Sequence, residues 1–423
     1  MKKRKVLVLA YMLSPYKGSE FSVAWNYVAY MSKDNDLTVL YGLSGAHMGD
    51  CSEMENYVRQ HSIPGVKLVP IYPNKFARLL NWPNRHGFLV YTSYFAYQVW
   101  HKQTYKIAKQ LIKEEHYDLV HYVGMIGYRE PGYLWKLGLP YVWGPIGGAN
   151  NVPVQLLKNM SIKGKLTFLF RNFANFCQLH FNHRLKQALR STDVLMTATT
   201  ENHDTFLKIY HKDSICLPEN ALTEMHQLNI AKFKNIEKIR LIIVGRLCLR
   251  KAVRLLLESL TMLRNLGKLH LDIVGDGPEM KNLQECASKN SLDDIITWYG
   301  QLHREDAVKI FETAHLNVIT SVSEGNPTTI WEAMSYGVPT ISFDHCGMHD
   351  TITDTCGIKV PLQKTYDGCV RVFAEALDSV IENPERLCKL AQGTIERASH
   401  YMWTEREKIL NNMYDKLIAK KNN

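Results

Sequence analysis

SVSEGNPTTIWEAMSYGVPTIS, Ser321 to Ser342, is the stretch whose reading decides the fold. It follows the apolar run Leu316 to Thr320, a strand candidate, and passes through a polar turn holding Glu324, Gly325, Asn326 and Pro327. A helix then opens at Thr328, Thr329 and Ile330. Proline suits a helix start, where an N–H would lack a partner in any case, and the first free N–H groups after it favour an anion. Glu332 follows Glu324 by eight positions. One carboxylate therefore belongs to the turn and the other to the helix, about one turn in.

Working outward, the same strand-turn-helix pattern recurs along the 423 residues. Strand candidates in the first half are Val6 to Ala10, Leu37 to Tyr41, Val66 to Pro70, Leu119 to Tyr122, Tyr141 to Trp143 and Val194 to Thr197. In the second half they are Leu241 to Val244, Leu271 to Val274, Ile296 to Tyr299, Leu316 to Thr320 and Thr340 to Phe343. Helix-length segments lie between them, including Glu20 to Ser32, Ala252 to Leu266 and Arg304 to Thr313. Strand, helix, strand repeated in two halves predicts an α/β protein with two doubly wound, Rossmann-like parallel-sheet domains. The polar stretch Pro218 to Lys238 separates the halves, and Thr404 to Lys421 reads as a charged helix. The expected division is 1–220, 221–400 and a C-terminal helix within 401–423 that packs back on the first domain.

Two such domains facing one another make a cleft, with ligands beyond the carboxyl ends of the strands. Strand LIIVG ends in Gly245, then Arg246, with Lys251 at the head of the next helix. That pair of cations can hold a diphosphate. In the first half, SPYKGSEFSVAWNYVAYMS places Gly18 in a turn where backbone can approach a ligand, before a helix opening at Ser19 and Glu20. No G-x-G-x-x-G dinucleotide fingerprint and no P-loop occurs at this turn. Two carboxylates beside a phosphate site call for a polyol to hold, and a sugar nucleotide offers a ribose, a diphosphate and a hexose in that order.

Composition narrows the classes. Hydrophobic residues are 46% and charged residues 22%, the balance of a globular protein. No run of about 18 apolar residues occurs, Phe88 to Trp100 being the longest candidate. The N-terminal MKKRKVLVLAYM reads as a first strand rather than a signal peptide. Nine scattered cysteines without a C-x-x-C suggest neither disulfides nor zinc, and fit a reducing cytoplasm. Asp34-Asn35-Asp36 matches D-x-D but reads as a polar turn, and DHCGMHD, Asp344 to Asp350, reads as a loop rather than a metal cluster. No metal and no cofactor is expected. The net charge of +10 is concentrated in Asn74 to His116 and Lys158 to Arg190, which are also rich in aromatic and aliphatic residues. Basic amphipathic helices on an anionic membrane have this composition. Solvated helix faces around an ordinary core have it too.

The E-x7-E of Glu324 and Glu332, the GRL of Gly245 to Leu247 with Lys251 downstream, and GDGPEM at Gly275 to Met280 together resemble retaining glycosyltransferases of the GT-B fold, glycosyltransferase family 4. DLVH at Asp118 to His121, YREPGYLW at Tyr128 to Trp135 and PYVWGPIGG at Pro140 to Gly148 resemble one bacterial surface-polysaccharide branch of that family. The resemblance implies that Arg246 and Lys251 bind the donor diphosphate and stabilise the leaving nucleoside diphosphate in place of a metal. It further implies that Glu324 contacts donor-sugar hydroxyls, Glu332 the ribose, and the amides of Thr328, Thr329 and Ile330, beside Asn326 and Pro327, the phosphates. Leu302, in the Gln301 to His303 turn, would edge the nucleobase, and Gly18 would close over the diphosphate from the other domain. The family often carries a histidine on the acceptor side. Here VHYVG puts His121 first and Val123 where the second histidine often stands, so His121 is the candidate.

The implied activity is metal-independent transfer of a hexose from a UDP- or GDP-sugar to a saccharide or lipid-linked saccharide, with retention. The implied location is the inner face of the cytoplasmic membrane. A nucleotide-sugar epimerase on a GT-B-like fold would use the same donor pocket. A basic protein that binds membrane or nucleic acid without catalysis would explain the charge, although no helix-turn-helix, zinc or RNP signature occurs and nucleic acid is not expected as a partner.

Overall fold

The computed structural model describes residues 3–87 and 92–422, so Phe88 to Tyr91 of the aromatic run lie outside the described residues. The chain forms two compact units. Unit 1 comprises residues 1–149, 176–219 and 403–423, and unit 2 residues 150–175 and 220–402.

Unit 1 holds strands β1 Arg4–Ala10, β2 Asn35–Tyr41, β3 Val66–Pro70, β4 Leu119–Gly124, β5 Tyr141–Ile146, β6 Val194–Thr197 and β7 Ile215–Cys216. They make one sheet in the order β3-β2-β1-β4-β5-β6-β7, parallel throughout. Parallel strands covered on both faces read as continuous apolar runs, and Val6, Leu7, Val8 and Leu9 of β1 are all fully buried. The C-terminal helix Trp403–Asn422 packs on helix Glu20–Met31. Arg4 forks onto Asp415 through Nε and Nη2, each 2.7 Å from a carboxylate oxygen, and Tyr30 stacks on Trp403 with ring centroids 5.5 Å apart. The YREPGYLW motif places buried Glu130 against Arg184, which also donates to the Tyr133 hydroxyl at 2.9 Å.

Unit 2 holds β8 Ile239–Val244, β9 Leu269–Val274, β10 Ile296–Gly300, β11 Leu316–Ile319, β12 Thr340–Phe343 and β13 Gly357–Val360. Their order is β10-β9-β8-β11-β12-β13, again all parallel. The stretch 150–175, which chain order assigns to the first domain, belongs here. Val152, Leu156 and Leu157 are buried in the same core as Leu241, Leu256 and Phe373. Burying those three apolar side chains stabilises the attachment by about 1.5–3 kcal/mol each. Two strands went unread in the sequence, β7 and β13, and helix Ala252 to Leu266 ends early, at Leu260.

Candidate functional site

In both sheets the strand order reverses beside the first strand of the unit, between β1 and β4 and between β8 and β11, the place where open α/β sheets hold ligands. In unit 2 this point is built from glycine contacts. Gly245 follows β8 with φ 135°, and Gly275 follows β9 with φ 133°. A Cβ on Gly275 would stand 2.1 Å from the Gly245 carbonyl oxygen, and one on Gly277 2.2 Å from that of Leu247. The GDGPEM motif is thus explained by backbone meeting backbone. It fixes the turn that carries Arg246 to Lys251.

A second set of hydrogen bonds ties that turn to the loop after β11. Val322 N–H donates to the Arg250 carbonyl at 2.8 Å, and Thr320 Oγ1 to the Lys251 carbonyl at 2.9 Å. Arg250 Nη1 donates to the Ser323 carbonyl at 3.2 Å. Between the two turns lies the Glu324 carboxylate, whose side chain is 9% exposed. It pairs with Lys251 Nζ at 2.8 Å and with the Arg250 guanidinium. Burial pushes the Glu324 carboxyl up, but Lys251 and Arg250 outweigh it and hold it below its ordinary value. The site therefore keeps one buried anion between two cations. Arg246 is exposed and makes no hydrogen bond or ion pair among the described residues.

Helix Thr328–Ser335 starts from Pro327, with φ −62° and ψ 135°. The Thr328 and Thr329 amides donate to no group among the described residues. The Ile330 amide differs: it donates to the Pro327 carbonyl at 3.1 Å, and its side chain is fully buried with Trp331 and Met334. Asn326 is buried and braced, its Oδ1 accepting from Thr351 Oγ1 at 3.1 Å and its carbonyl from Asn220 Nδ2 at 3.1 Å. It shapes the loop. The loop is tight as well, since a Cβ on Gly347 would lie 1.6 Å from the Gly325 carbonyl oxygen. Glu332 is half-buried on the helix, and Leu302 packs beside the apolar cluster of Ile242, Val274 and Phe311.

Sequence reading passed over several residues here. Arg250, masked by its neighbour Lys251, is the second cation on Glu324. Ser323 Oγ accepts from Asn150 Nδ2 at 3.2 Å and from Arg171 Nη1 at 3.1 Å, both from the stretch 150–175. His345 bridges the Ser321 carbonyl and Cys346 Sγ, each at 3.1 Å, and burial lowers its pKa. In the DHCGMHD loop Asp344 faces His349 Nδ1 at 2.6 Å and Lys359 Nζ at 3.7 Å.

Gly18 and His121 belong to unit 1. Gly18 is exposed, and a Cβ there would meet nothing within 4 Å. The left-handed residue of that turn is Ser19, with φ 58°. Burial raises the next residue, Glu20, to about 7, opposed by the backbone N–H of Ile126. His121 is 1% exposed. Its Nε2 lies 2.8 Å from the Gly144 carbonyl and must carry the proton, so Nδ1 accepts the Tyr414 hydroxyl at 2.5 Å. Tyr414 is in turn 2.5 Å from the Tyr27 hydroxyl. With both nitrogens occupied and no access to solvent, His121 is a structural anchor of the C-terminal helix. The acceptor-side expectation for it is corrected accordingly.

Helix Ile162–Phe181 exposes Ile162, Leu166 and Phe173 beside Lys163 and Lys165, and helix Lys75–Arg85 exposes Phe76, Leu79 and Trp82 beside Arg78 and Arg85. Among the described residues no helix is long and apolar enough to cross a membrane.

Residues 227–398 match the family model of glycosyl transferases group 1. Arg246, Lys251, Glu324 and Glu332 all fall inside the matched segment. The chain is 36% identical over 112 residues to the lipopolysaccharide 1,6-galactosyltransferase of Escherichia coli K12, covering 26% of this chain and 31% of that one. It spans between about a third and a half of the length of the first curated relatives it matches. Whole-chain likenesses are structural. The lipopolysaccharide outer core galactosyltransferase WaaB in its apo form superposes with a TM-score of 0.65 at 18% identity, over 97% of this chain and 99% of that one. Anabaena Alr3699/HepE in complex with UDP and glucose gives 0.60 at 13% identity, over 98% and 100%. At such identities these two likenesses define the fold, two Rossmann-like domains of the GT-B type.

Proposed function

We propose that the protein transfers a hexose from a nucleotide-diphosphate sugar to a saccharide or lipid-linked saccharide acceptor, in cell-surface polysaccharide synthesis at the inner face of the cell membrane. The observation that carries this reading is the buried Glu324 carboxylate held between Lys251 and Arg250, with exposed Arg246 close in sequence to those cations. Close in sequence to the carboxylate are the Thr328 and Thr329 amides, which donate to no group among the described residues. A carboxylate so paired stays ionised and can accept from sugar hydroxyls. Lys251, Arg246 and the helix start supply the positive field in which a diphosphate gathers charge as the glycosidic bond to it breaks. In this reading that field takes the place of a metal ion. Glu332 holds the ribose and Leu302 edges the base.

Retention follows if the acceptor hydroxyl attacks on the face the nucleotide leaves, its proton passing to the departing phosphate. The exposed apolar and basic residues of helices Lys75–Arg85 and Ile162–Phe181 support a membrane-bound acceptor. Because a ligand that binds only the folded state raises its melting temperature, a thermal-shift panel of UDP, GDP and their sugars tests the proposal. One nucleoside diphosphate should raise Tm in wild type and fail to do so in Arg246→Ala. A panel without any shift would overturn the reading.

A further inference from the structure

Unit 1 carries a concave site, about 350 Å³ in volume, beyond the carboxyl ends of β2 and β3. One wall is helix Lys75–Arg85, which starts at Asn74 with its Oδ1 capping the Ala77 amide at 2.8 Å. Arg78, Asn81, Trp82 and Arg85 follow at spacings of three, four and seven residues, so they share a helix face, and all four line the cavity. The opposite wall comes from the loop after β2 and includes His47. Gly49 makes that wall fit: its φ is 86°, and a Cβ would stand 2.5 Å from Pro73 Cδ at the cavity floor.

The electrostatics are one-sided. Neither Arg78 nor Arg85 has a carboxylate within 4.0 Å among the described residues. Arg78 uses only Nε, donating to the Pro73 carbonyl at 3.0 Å, which leaves its two terminal nitrogens without a partner among the described residues. The acid closest to the loop, Asp50, is directed elsewhere: Ser52 Oγ at 2.6 Å and the Ala46 amide at 2.8 Å hold it at a pKa of about 2, and His47 Nδ1 is 4.0 Å away. Two arginines and an asparagine on one wall fit the oxygens of a phosphoryl group, which guanidinium recognises in bidentate fashion.

The rim distinguishes a lipid phosphate from a free one. Leu79 is 69% exposed, Phe76 57% and Trp82 54%, and Phe95 on the packed helix Thr92–Glu114 is 61% exposed. A soluble phosphate gives these side chains nothing to bury against. At a bilayer surface, phosphate and apolar chain meet at one depth, where basic residues hold the headgroup and Trp, Phe and Leu enter the acyl boundary.

We propose that this pocket receives the phosphate of an anionic membrane lipid, including the phosphate of a lipid-linked acceptor, and so seats unit 1 on the membrane. Its role toward an acceptor rests on the transferase reading, but the pocket's binding does not. The test is flotation of the full chain with phosphatidylcholine vesicles, with and without phosphatidic acid. Wild type should float only with phosphatidic acid, and R78Q/R85Q should bind about thirtyfold more weakly, the loss expected for two basic residues at an anionic surface. The double variant K364Q/K389Q, which removes the same charge from exposed sites of unit 2, should float like wild type. Equal floating of R78Q/R85Q and wild type would overturn the proposal, as would an equal loss in K364Q/K389Q, which would mean diffuse charge attraction. Tight calorimetric binding of inorganic phosphate by a protein that ignores the vesicles would overturn the lipid source. Nucleoside diphosphate thermal shifts on the same samples separate the two readings. A shift retained in R78Q/R85Q keeps the pocket distinct from the donor site, and a shift lacking in wild type while vesicles still bind fails the transferase and leaves the pocket standing.

Discussion

β4 and β11 hold the same position in their sheets, each beside the first strand of its unit where strand order reverses, yet polar groups there serve different ends. On β4, His121 is sealed with Tyr414, Tyr27 and the Gly144 carbonyl, a neutral chain in which every atom has its partner. After β11, Glu324 is charged, has two cationic partners, and lies close in sequence to two helix amides that have none among the described residues. Sequence pattern marks both as polar groups at strand ends. What separates a brace from a candidate binding site is charge left over once internal partners are counted, and that count needs the fold.

The largest effect that can break this contrast is catalytic. Lys251→Ala and Arg246→Ala should each lower turnover by about 100-fold or more if both stabilise departing charge, measured as nucleoside diphosphate release with acceptor present. Their stabilities should part. Arg246 is exposed and its loss should leave Tm unchanged, whereas loss of Lys251 removes one of the two cations on a buried carboxylate and should lower Tm, by less than the roughly 3–5 kcal/mol of a wholly uncompensated charge because Arg250 remains. Identical melting curves would mean that the Glu324 pair does not bear on folding.

His121→Ala should do the reverse. It removes the bonds to the Gly144 carbonyl and the Tyr414 hydroxyl, the latter keeping only Tyr27, at about 1–3 kcal/mol for a buried group left unsatisfied, while turnover per folded molecule stays at the wild-type level. A selective loss of turnover with unchanged stability would return His121 to the acceptor side.

A smaller effect is pH-dependent. Burial lowers His121 to about 4, so between that value and its unfolded pKa of about 6.5 the unfolded chain binds the extra proton. Stability from this group is therefore complete above pH 6.5 and falls as pH drops toward 4, by roughly 1.4 kcal/mol per unit. Burial lifts Glu20 to about 7 and makes an opposite contribution, so the clean readout is the difference between wild type and His121→Gln in urea unfolding. That difference should shrink steadily on acidification. A constant difference would show that the imidazole titrates normally. The smallest effect is expected from chelation: excess EDTA should leave turnover unchanged, and loss restored by a divalent cation would bring a metal into the donor site.

Much of the fold was legible because parallel strands buried on both faces are unbroken apolar runs, as in LIIVG and KVLVLA. β7 has only two residues, both exposed, and β13 opens with a glycine, so neither produces such a run. The stretch 150–175 was misassigned because its attachment to unit 2 depends on Val152, Leu156 and Leu157 meeting a core remote in sequence. In the candidate site, Arg246, Lys251, Glu324 and the helix start are marked by their spacing. Arg250 and the Asn150 and Arg171 contacts to Ser323 were not, since they arise from tertiary approach. The Ile330 amide was misjudged because a helix start leaves its first N–H groups free only until a local turn takes one back.

The central claim is that Glu324, clamped by Lys251 and Arg250, grips the donor sugar while the neighbouring cations grip its diphosphate. Its most direct test is calorimetric titration of wild type and Glu324→Gln with a nucleoside diphosphate and with the matching nucleotide sugar. The account predicts that Gln binds the bare diphosphate as wild type does and loses the extra affinity contributed by the sugar. Equal loss for both ligands, or for neither, would contradict it.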